Sequence, residues 1–122
     1  MRGIPIWATL VALEREGRSV LGIASAPALG QRWWASRGGG AFRDGSPLHV
    51  SAIANIEDAT FCYTSARDFA RRGLADRFLD VAERSWVERG FGDFWMHMLV
   101  AEAPPTRPWT AASNVGTRPR WR

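Results

Sequence analysis

The pattern of apolar and polar residues predicts that the chain begins with an antiparallel hairpin. Residues 4–13 are apolar and rich in β-branched side chains, and residues 20–25 form a second apolar run. The polar residues 14–18 between them are typical of a turn. Pro27 is predicted to end the second strand, because proline has no N–H to donate to a neighbouring strand.

The glycine-rich region that follows predicts a third strand over residues 33–42. Its glycines at 38–40 are interpreted as a bulge or a point of close approach, and Asp44-Gly45 as the next turn. Trp33 and Trp34 are adjacent, so a strand would direct them to opposite faces. Two shorter strands are predicted at 48–52 and 60–65, with a loop at 55–58 between them.

The second half of the chain predicts two helices. Apolar residues recur at fourfold spacing, which is the spacing of one helix face: Leu74, Phe78, Ala82 and Trp86. Acidic residues on another face of this helix alternate with arginines, so we interpret them as a solvated face and not as a metal site. Residues 94–100 are apolar almost all round, which is typical of a buried helix. Strands with intervening helices predict a mixed α/β (α+β) layered domain.

Charge divides the chain into two parts. The net charge is +4, but residues 1–103 contain twelve arginines and twelve acids and are therefore neutral. Residues 104–122 contain four arginines, four of the seven prolines and no acid. The composition therefore predicts one domain over 1–103 and an atypical Arg/Pro/Trp tail over 104–122, with no basic face for nucleic acid on the domain.

Cysteine use and hydropathy predict a cytoplasmic protein. Cys62 is the only cysteine, which excludes an intramolecular disulfide, and its apolar neighbours favour an inert buried thiol over a nucleophile. No apolar run approaches the ~20 residues that span a bilayer, so no membrane partner is predicted. His49 and His97 are isolated, with no second His or Cys at zinc-ligand spacing.

Several segments resemble the inositol monophosphatase family of Mg²⁺-dependent phosphatases, and within it the histidinol-phosphate phosphatases. The resemblance covers residues 1–103 and is carried by Arg2-Gly-Ile-Pro-Ile-Trp-Ala8, Ser25-Ala-Pro-Ala-Leu29, Arg32-Trp-Trp-Ala35 and Arg89-Gly-Phe-Gly-Asp-Phe94. It implies the layered αβαβα sandwich of that family, of which this chain is an incomplete middle portion. It also implies that Arg89 and Asp93 bind the substrate, a small phosphorylated molecule for which histidinol phosphate is favoured, and it allows a homodimer for the intact parent.

The motifs that hold Mg²⁺ in this family are missing from the chain. They are a Gly-Glu-Glu turn, Asp-Pro-Ile-Asp-Gly-Thr and a later Trp-Asp pair, and none occurs here. We therefore assign no catalytic residue and no metal ligand, and expect the chain alone to be inactive, although the intact family member would use Mg²⁺. On the residues alone, a helix cap is the favoured interpretation of Asp93, and a surface ion pair is the favoured interpretation of Arg89.

A shift of reading frame offers an origin for the tail. If GC-rich codons for residues 103–122 are read one base earlier, Gly116-Thr117 becomes the expected Trp-Asp pair. We therefore expect residues 104–122 to be frameshifted and disordered, and the nucleotide sequence of the gene tests this.

Three alternatives remain open at this stage. The parent could hydrolyse an inositol phosphate. The tail could form a non-catalytic nucleic-acid-binding module, because arginines and stackable rings are suited to single strands. The chain could also be a decayed product without a stable fold, because a divided layered core exposes strand edges and apolar faces.

Overall fold

The computed structural model describes residues 3–102 and the backbone of 109–112, which form two β-sheets and three α-helices. The predicted mixed α/β class is therefore confirmed. The larger part of the tail, including Arg107 and Trp121, lies outside the described residues, so the predicted domain division and the nucleic-acid alternative remain predictions. No helix within the described ranges is long and apolar enough to cross a bilayer.

The first sheet is an antiparallel meander in which every strand pairs with the next along the chain. The predicted hairpin is confirmed, and its turn is Glu16-Gly17, with φ of 55° and 69°. Two-residue turns with positive φ match the twist of the flanking strands. The strands are β1 (Thr9–Arg15), β2 (Arg18–Ala26), β3 (Gln31–Ser36), β4 (Gly40–Arg43) and β5 (Ser46–Leu48).

The glycine-rich segment forms a turn between two strands, so the prediction of one bulged strand over 33–42 is wrong. Residues 37–39 connect β3 to β4, and the N–H of Gly39 donates to the carbonyl of Ser36 at 3.0 Å. Gly38 and Gly40 have φ of 75° and 84°, a region that side chains rarely adopt. The glycines therefore reverse the chain instead of widening a strand.

The second sheet is parallel, with β6 (Thr60–Tyr63) between β7 (Val87–Arg89) and β8 (Trp109–Ala112). Three helices accompany it: α1 (Ala66–Arg71), α2 (Ala75–Arg84) and α3 (Trp95–Ala101). The predicted amphipathic helix corresponds to α2 and the predicted buried helix to α3. Trp86 lies beyond α2 and is 61% exposed, so the prediction that it belongs to the apolar face of this helix is wrong.

Some short elements also differ from the prediction. The first strand begins at Thr9, five residues later than predicted. Ile56–Asp58 is a 3-10 helix where a loop was predicted. Helix α1 was not predicted, and its N-cap is Ser65, whose hydroxyl accepts a hydrogen bond from the N–H of Asp68.

Two apolar clusters hold the described residues together. One joins the first sheet to α3 and contains Ala24, Ala26, Trp33 and Phe94. The other is a group of aromatic rings around Phe78, with centroids 4.9–5.7 Å from it: Phe61, Tyr63 and Phe69. Trp33 is buried in the first cluster, while Trp34 lies on the other face and stacks on Phe42, as the adjacent positions predicted.

Candidate functional site

The residues predicted to bind substrate lie at the end of β7 and in the segment that connects β7 to α3. Arg89 is the last residue of β7 and is paired in register with Cys62 of β6, and Asp93 follows it by four residues. Because β6 and β7 are parallel, their carboxyl ends meet at one edge of the sheet. Ligands of open α/β sheets bind outside this edge. The structure therefore brings the two predicted residues to a position suited to binding.

Gly90 allows this connection to pack against Tyr63 at the end of β6. A Cβ atom at Gly90 would lie 3.5 Å from Cε2 of the Tyr63 ring. Burial raises the pKa of the Tyr63 phenol, and the neighbouring Glu88 carboxylate raises it further. The phenol is therefore neutral where its ring packs against Gly90.

Arg89 presents an exposed guanidinium at this edge. Its Nη1 donates to the carbonyl of Glu88 at 2.7 Å. Within the described ranges no carboxylate forms an ion pair with it. A guanidinium has five N–H donors in a planar fork, so most of them remain for an anionic ligand.

Asp93 is exposed and has an unusual backbone conformation. Its φ of 60° lies in the left-handed region, which costs a residue with a side chain on the order of 1–3 kcal/mol. It precedes Phe94, which occupies the N-cap position of α3 and makes no side-chain cap hydrogen bond. Asp93 is thus not the N-cap residue that the residues alone suggested. Strained residues of this kind cluster at binding sites.

The opposite end of α3 carries a polar network that the sequence analysis did not identify. Glu102 accepts hydrogen bonds from Nε1 of Trp33 through one oxygen and from Nη1 of Arg43, at 2.7 Å, through the other. The Arg43 guanidinium also lies 6.0 Å from the centre of the Trp33 ring. These contacts join residues 59 and 69 positions apart, so no local pattern indicates them.

The described residues do not fit a Mg²⁺ cluster. In the ranges 3–102 and 109–112, no three His, Cys, Asp or Glu side chains are placed to hold a metal ion. Asp93 and Glu102 lie at opposite ends of the seven-residue α3. Mg²⁺ requires several oxygens in near-octahedral array.

Cys62 is placed as predicted for an inert thiol. It is fully buried in β6. Burial raises its pKa from 9.0 to about 11, although the nearby Arg89 charge acts in the opposite direction. The thiolate needed for nucleophilic attack is therefore scarce near neutral pH.

Comparisons with known proteins agree on one family. The family model described as the inositol monophosphatase family matches residues 1–102. The chain is 42% identical over 131 residues to a histidinol-phosphatase of Streptomyces coelicolor, covering 94% of this chain and 49% of that protein. It is 44% identical over 107 residues to the histidinol-phosphatase of Mycobacterium tuberculosis, covering 84% of this chain and 41% of that protein.

The fold agrees with these sequence matches. The extragenic suppressor protein suhB from Bartonella henselae superimposes with a TM-score of 0.71 at 28% identity, covering 82% of this chain and 39% of that structure. The chain thus spans at most about half the length of the relatives it matches, and the predicted incomplete portion of the phosphatase fold is confirmed. The chain belongs to the inositol monophosphatase family.

Proposed function

We propose that this chain forms one wall of the substrate pocket of a Mg²⁺-dependent phosphomonoesterase whose substrate is histidinol phosphate. The observation that carries the proposal is the placement of Arg89 and Asp93. They lie in one connection at the carboxyl edge of β6 and β7, and both are exposed. Neither has an ion-pair partner in the described part of the chain.

The two charges match the two kinds of charge on histidinol phosphate. A guanidinium binds phosphate or another polar oxygen through parallel N–H donors. A carboxylate suits the cationic amine or imidazolium at the other end of the molecule. Inositol phosphate carries hydroxyl groups in place of the cation, so Asp93 is the residue that favours histidinol phosphate over the alternative substrate. The names of the relatives from S. coelicolor and M. tuberculosis support the same choice.

Hydrolysis itself is assigned to parts of the intact enzyme beyond the described residues. Bound Mg²⁺ supplies an activated water and a polarised phosphoryl group in such enzymes. Because no metal cluster fits the described residues, the chain alone binds one side of the substrate and does not cleave it. Phosphate monoesters hydrolyse so slowly in water that binding alone releases no measurable phosphate.

A hybrid enzyme tests the proposal. The stretch of the S. coelicolor histidinol-phosphatase that aligns with residues 1–102 is replaced by those residues, and the rest of that enzyme is kept. Phosphate release from histidinol phosphate and from inositol 1-phosphate is then measured. In this hybrid enzyme, Arg89→Ala is expected to lower kcat/KM for both substrates by about 10- to 100-fold, the cost of losing a charged hydrogen bond. Asp93→Asn is expected to lower kcat/KM for histidinol phosphate by about tenfold and to change inositol 1-phosphate little.

The matched control is Arg77→Ala, which removes an exposed arginine from α2. It should leave both activities unchanged. Equal losses from Arg77→Ala and Arg89→Ala, or an Asp93→Asn loss that does not depend on the substrate, would refute the assigned roles.

A further inference from the structure

The connection from β7 to α3 carries two aromatic rings, one on each side of Asp93. Phe91 precedes Asp93 by two residues, and Trp95 follows it by two. The centres of the two rings are 5.0 Å apart, and their planes are tilted by 57°. Phe94 lies between them in sequence and is buried, with 7% exposure, whereas Phe91 and Trp95 are each only partly buried. We call Phe91 and Trp95 the ring pair.

The ring pair and the two charged residues belong to one short stretch of surface. The contact between the rings brings the two sides of the turn at Asp93 together, and Asp93 itself is exposed. Arg89 is exposed as well, and it precedes Phe91 by two residues at the end of β7. Aromatic, anionic and cationic groups therefore lie close together at the carboxyl edge of β6 and β7.

Packing accounts for only part of this arrangement. Trp95 packs against the buried cluster that joins the first sheet to α3, so it also supports the start of the helix. In the described part of the chain Phe91 lies outside that cluster, and its ring contacts the ring of Trp95. A large aliphatic side chain would provide an apolar contact equally well, whereas a pair of tilted rings also presents the negative faces of its π-systems.

Aromatic faces beside a carboxylate select a planar cation. A ring face attracts positive charge and stacks on other planar rings, and a carboxylate accepts a hydrogen bond from the N–H group that carries the charge. The imidazole ring of histidinol phosphate is planar, and a pKa of about 6.5 leaves it partly protonated near neutral pH. The ring of inositol phosphate is saturated, so it offers neither a planar face nor a cation.

We propose that Phe91 and Trp95 form an aromatic surface that stacks on the imidazole ring of histidinol phosphate, while Asp93 pairs with the positive charge of that ring. The ring pair thus determines specificity and takes no part in cleavage of the phosphate ester. This inference rests on the proposed function, because it assigns residues to the imidazole end of the same substrate.

Replacement of one ring in the hybrid enzyme tests the proposal. Trp95→Leu is expected to raise KM for histidinol phosphate by about 5- to 30-fold, because stacking and the cation–π attraction are lost. It should leave kcat within about twofold, since the contact is made equally in the bound substrate and in the transition state. KM for inositol 1-phosphate should also stay within about twofold.

Two further variants separate ring chemistry from packing. Trp95→Phe keeps a ring and is expected to restore KM for histidinol phosphate to within about threefold of the unsubstituted hybrid enzyme. Phe91→Leu removes the other ring, which lies outside the buried cluster, and should raise KM for histidinol phosphate selectively. This variant decides the question if Trp95→Leu unfolds the start of α3. Circular dichroism verifies the fold of each variant.

The matched control is a second tryptophan–phenylalanine pair on the first sheet. Trp34 and Phe42 are also partly buried, and their ring centres are 5.8 Å apart. Trp34→Leu should leave KM for both substrates unchanged. The role of the ring pair is refuted if Phe91→Leu and Trp95→Leu alter both substrates equally, or alter histidinol phosphate no more than Trp34→Leu does.

Failure of the proposed function gives a different result. In that case the hybrid enzyme with no further substitution would release no phosphate from histidinol phosphate, or Arg89→Ala and Asp93→Asn would have no effect. If those variants behave as expected and the ring variants do not, the phosphate and charge contacts stand and only the stacking surface is rejected.

Discussion

Asp93 occupies a backbone conformation that glycine would adopt at lower cost. Its φ is 60°, and it stands at the start of the turn into α3. In the isolated chain, Asp93→Gly is expected to raise the free energy of unfolding by about 0.5–1 kcal/mol, because relief of strain exceeds the added entropy of the unfolded glycine. Urea denaturation measures this change.

The same substitution should impair binding. In the hybrid enzyme, Asp93→Gly is expected to lower kcat/KM for histidinol phosphate as much as Asp93→Asn does. A gain in stability together with a loss of activity is the signature of a residue strained for function. If Asp93→Gly destabilises the chain, the left-handed conformation is not strained and this interpretation fails.

The buried thiol of Cys62 gives a pH dependence with a definite sign. Its pKa rises from 9.0 to about 11 on folding, so the unfolded chain loses this proton first as the pH increases. The contribution of the protonated thiol to the free energy of unfolding is fully present below pH 9 and is lost progressively between pH 9 and 11. The free energy of unfolding falls by roughly 1 kcal/mol by pH 10.

Comparison with Cys62→Ala isolates this contribution from other titrating groups. Urea denaturation at pH 7 and at pH 10 should show a larger loss of stability for the wild-type chain than for the variant. An equal loss in both proteins would show that the thiol ionises as readily in the folded chain as in the unfolded one.

At the scale of elements, Glu102 connects the end of α3 to the first sheet. Its two oxygens accept from Trp33 and Arg43, and its side chain is 18% exposed. Glu102→Ala is expected to cost about 2 kcal/mol, because it leaves the buried indole N–H without its acceptor and removes the closer of the two carboxylates that pair with Arg43. Glu102→Gln is expected to cost about half as much, because its amide oxygen still accepts from the indole.

A second ion pair provides the control. Glu57 lies 3.4 Å from Arg84, and both side chains are more than half exposed. Glu57→Ala should therefore change the free energy of unfolding by less than about 0.5 kcal/mol. Urea denaturation followed by tryptophan fluorescence compares the variants. Equal losses in the free energy of unfolding for Glu57→Ala and Glu102→Ala would contradict the proposed role of Glu102 in joining α3 to the first sheet.

Sequence patterns predicted the elements whose signals are local. The two apolar runs and the polar turn of the first hairpin, and the fourfold spacing within α2, identified both structures. The glycines at 38–40 were ambiguous, because glycine permits both a bulge and a turn with positive φ. The end of α2 was misplaced because Trp86 continues the helical spacing after the helix has ended.

At the scale of the whole molecule, long-range contacts limited what could be predicted. The Glu102 network depends on residues brought together only by the packing of α3 on the first sheet. The placement of Arg89 and Asp93 at the carboxyl edge of a parallel sheet depends on the pairing of β6 with β7. Their assignment as substrate residues came from the family resemblance, because the residues alone favour a helix cap for Asp93 and a surface ion pair for Arg89.

The described residues expose an apolar surface beside the first sheet. Five exposed hydrophobic residues lie in β1 or in the segment just before it, and the buried set in the described residues includes only eight hydrophobic side chains. The proposed function assigns to this chain the scaffold and one wall of a substrate pocket, and it assigns hydrolysis to other parts of the intact enzyme.

Phosphate release by the purified chain of 122 residues tests that account most directly. Histidinol phosphate is incubated with the chain in excess Mg²⁺, beside the hybrid enzyme at equal concentration. The account predicts release by the hybrid enzyme and none above the enzyme-free rate by the chain alone. Mg²⁺-dependent release by the chain alone, lost on chelation, would contradict it.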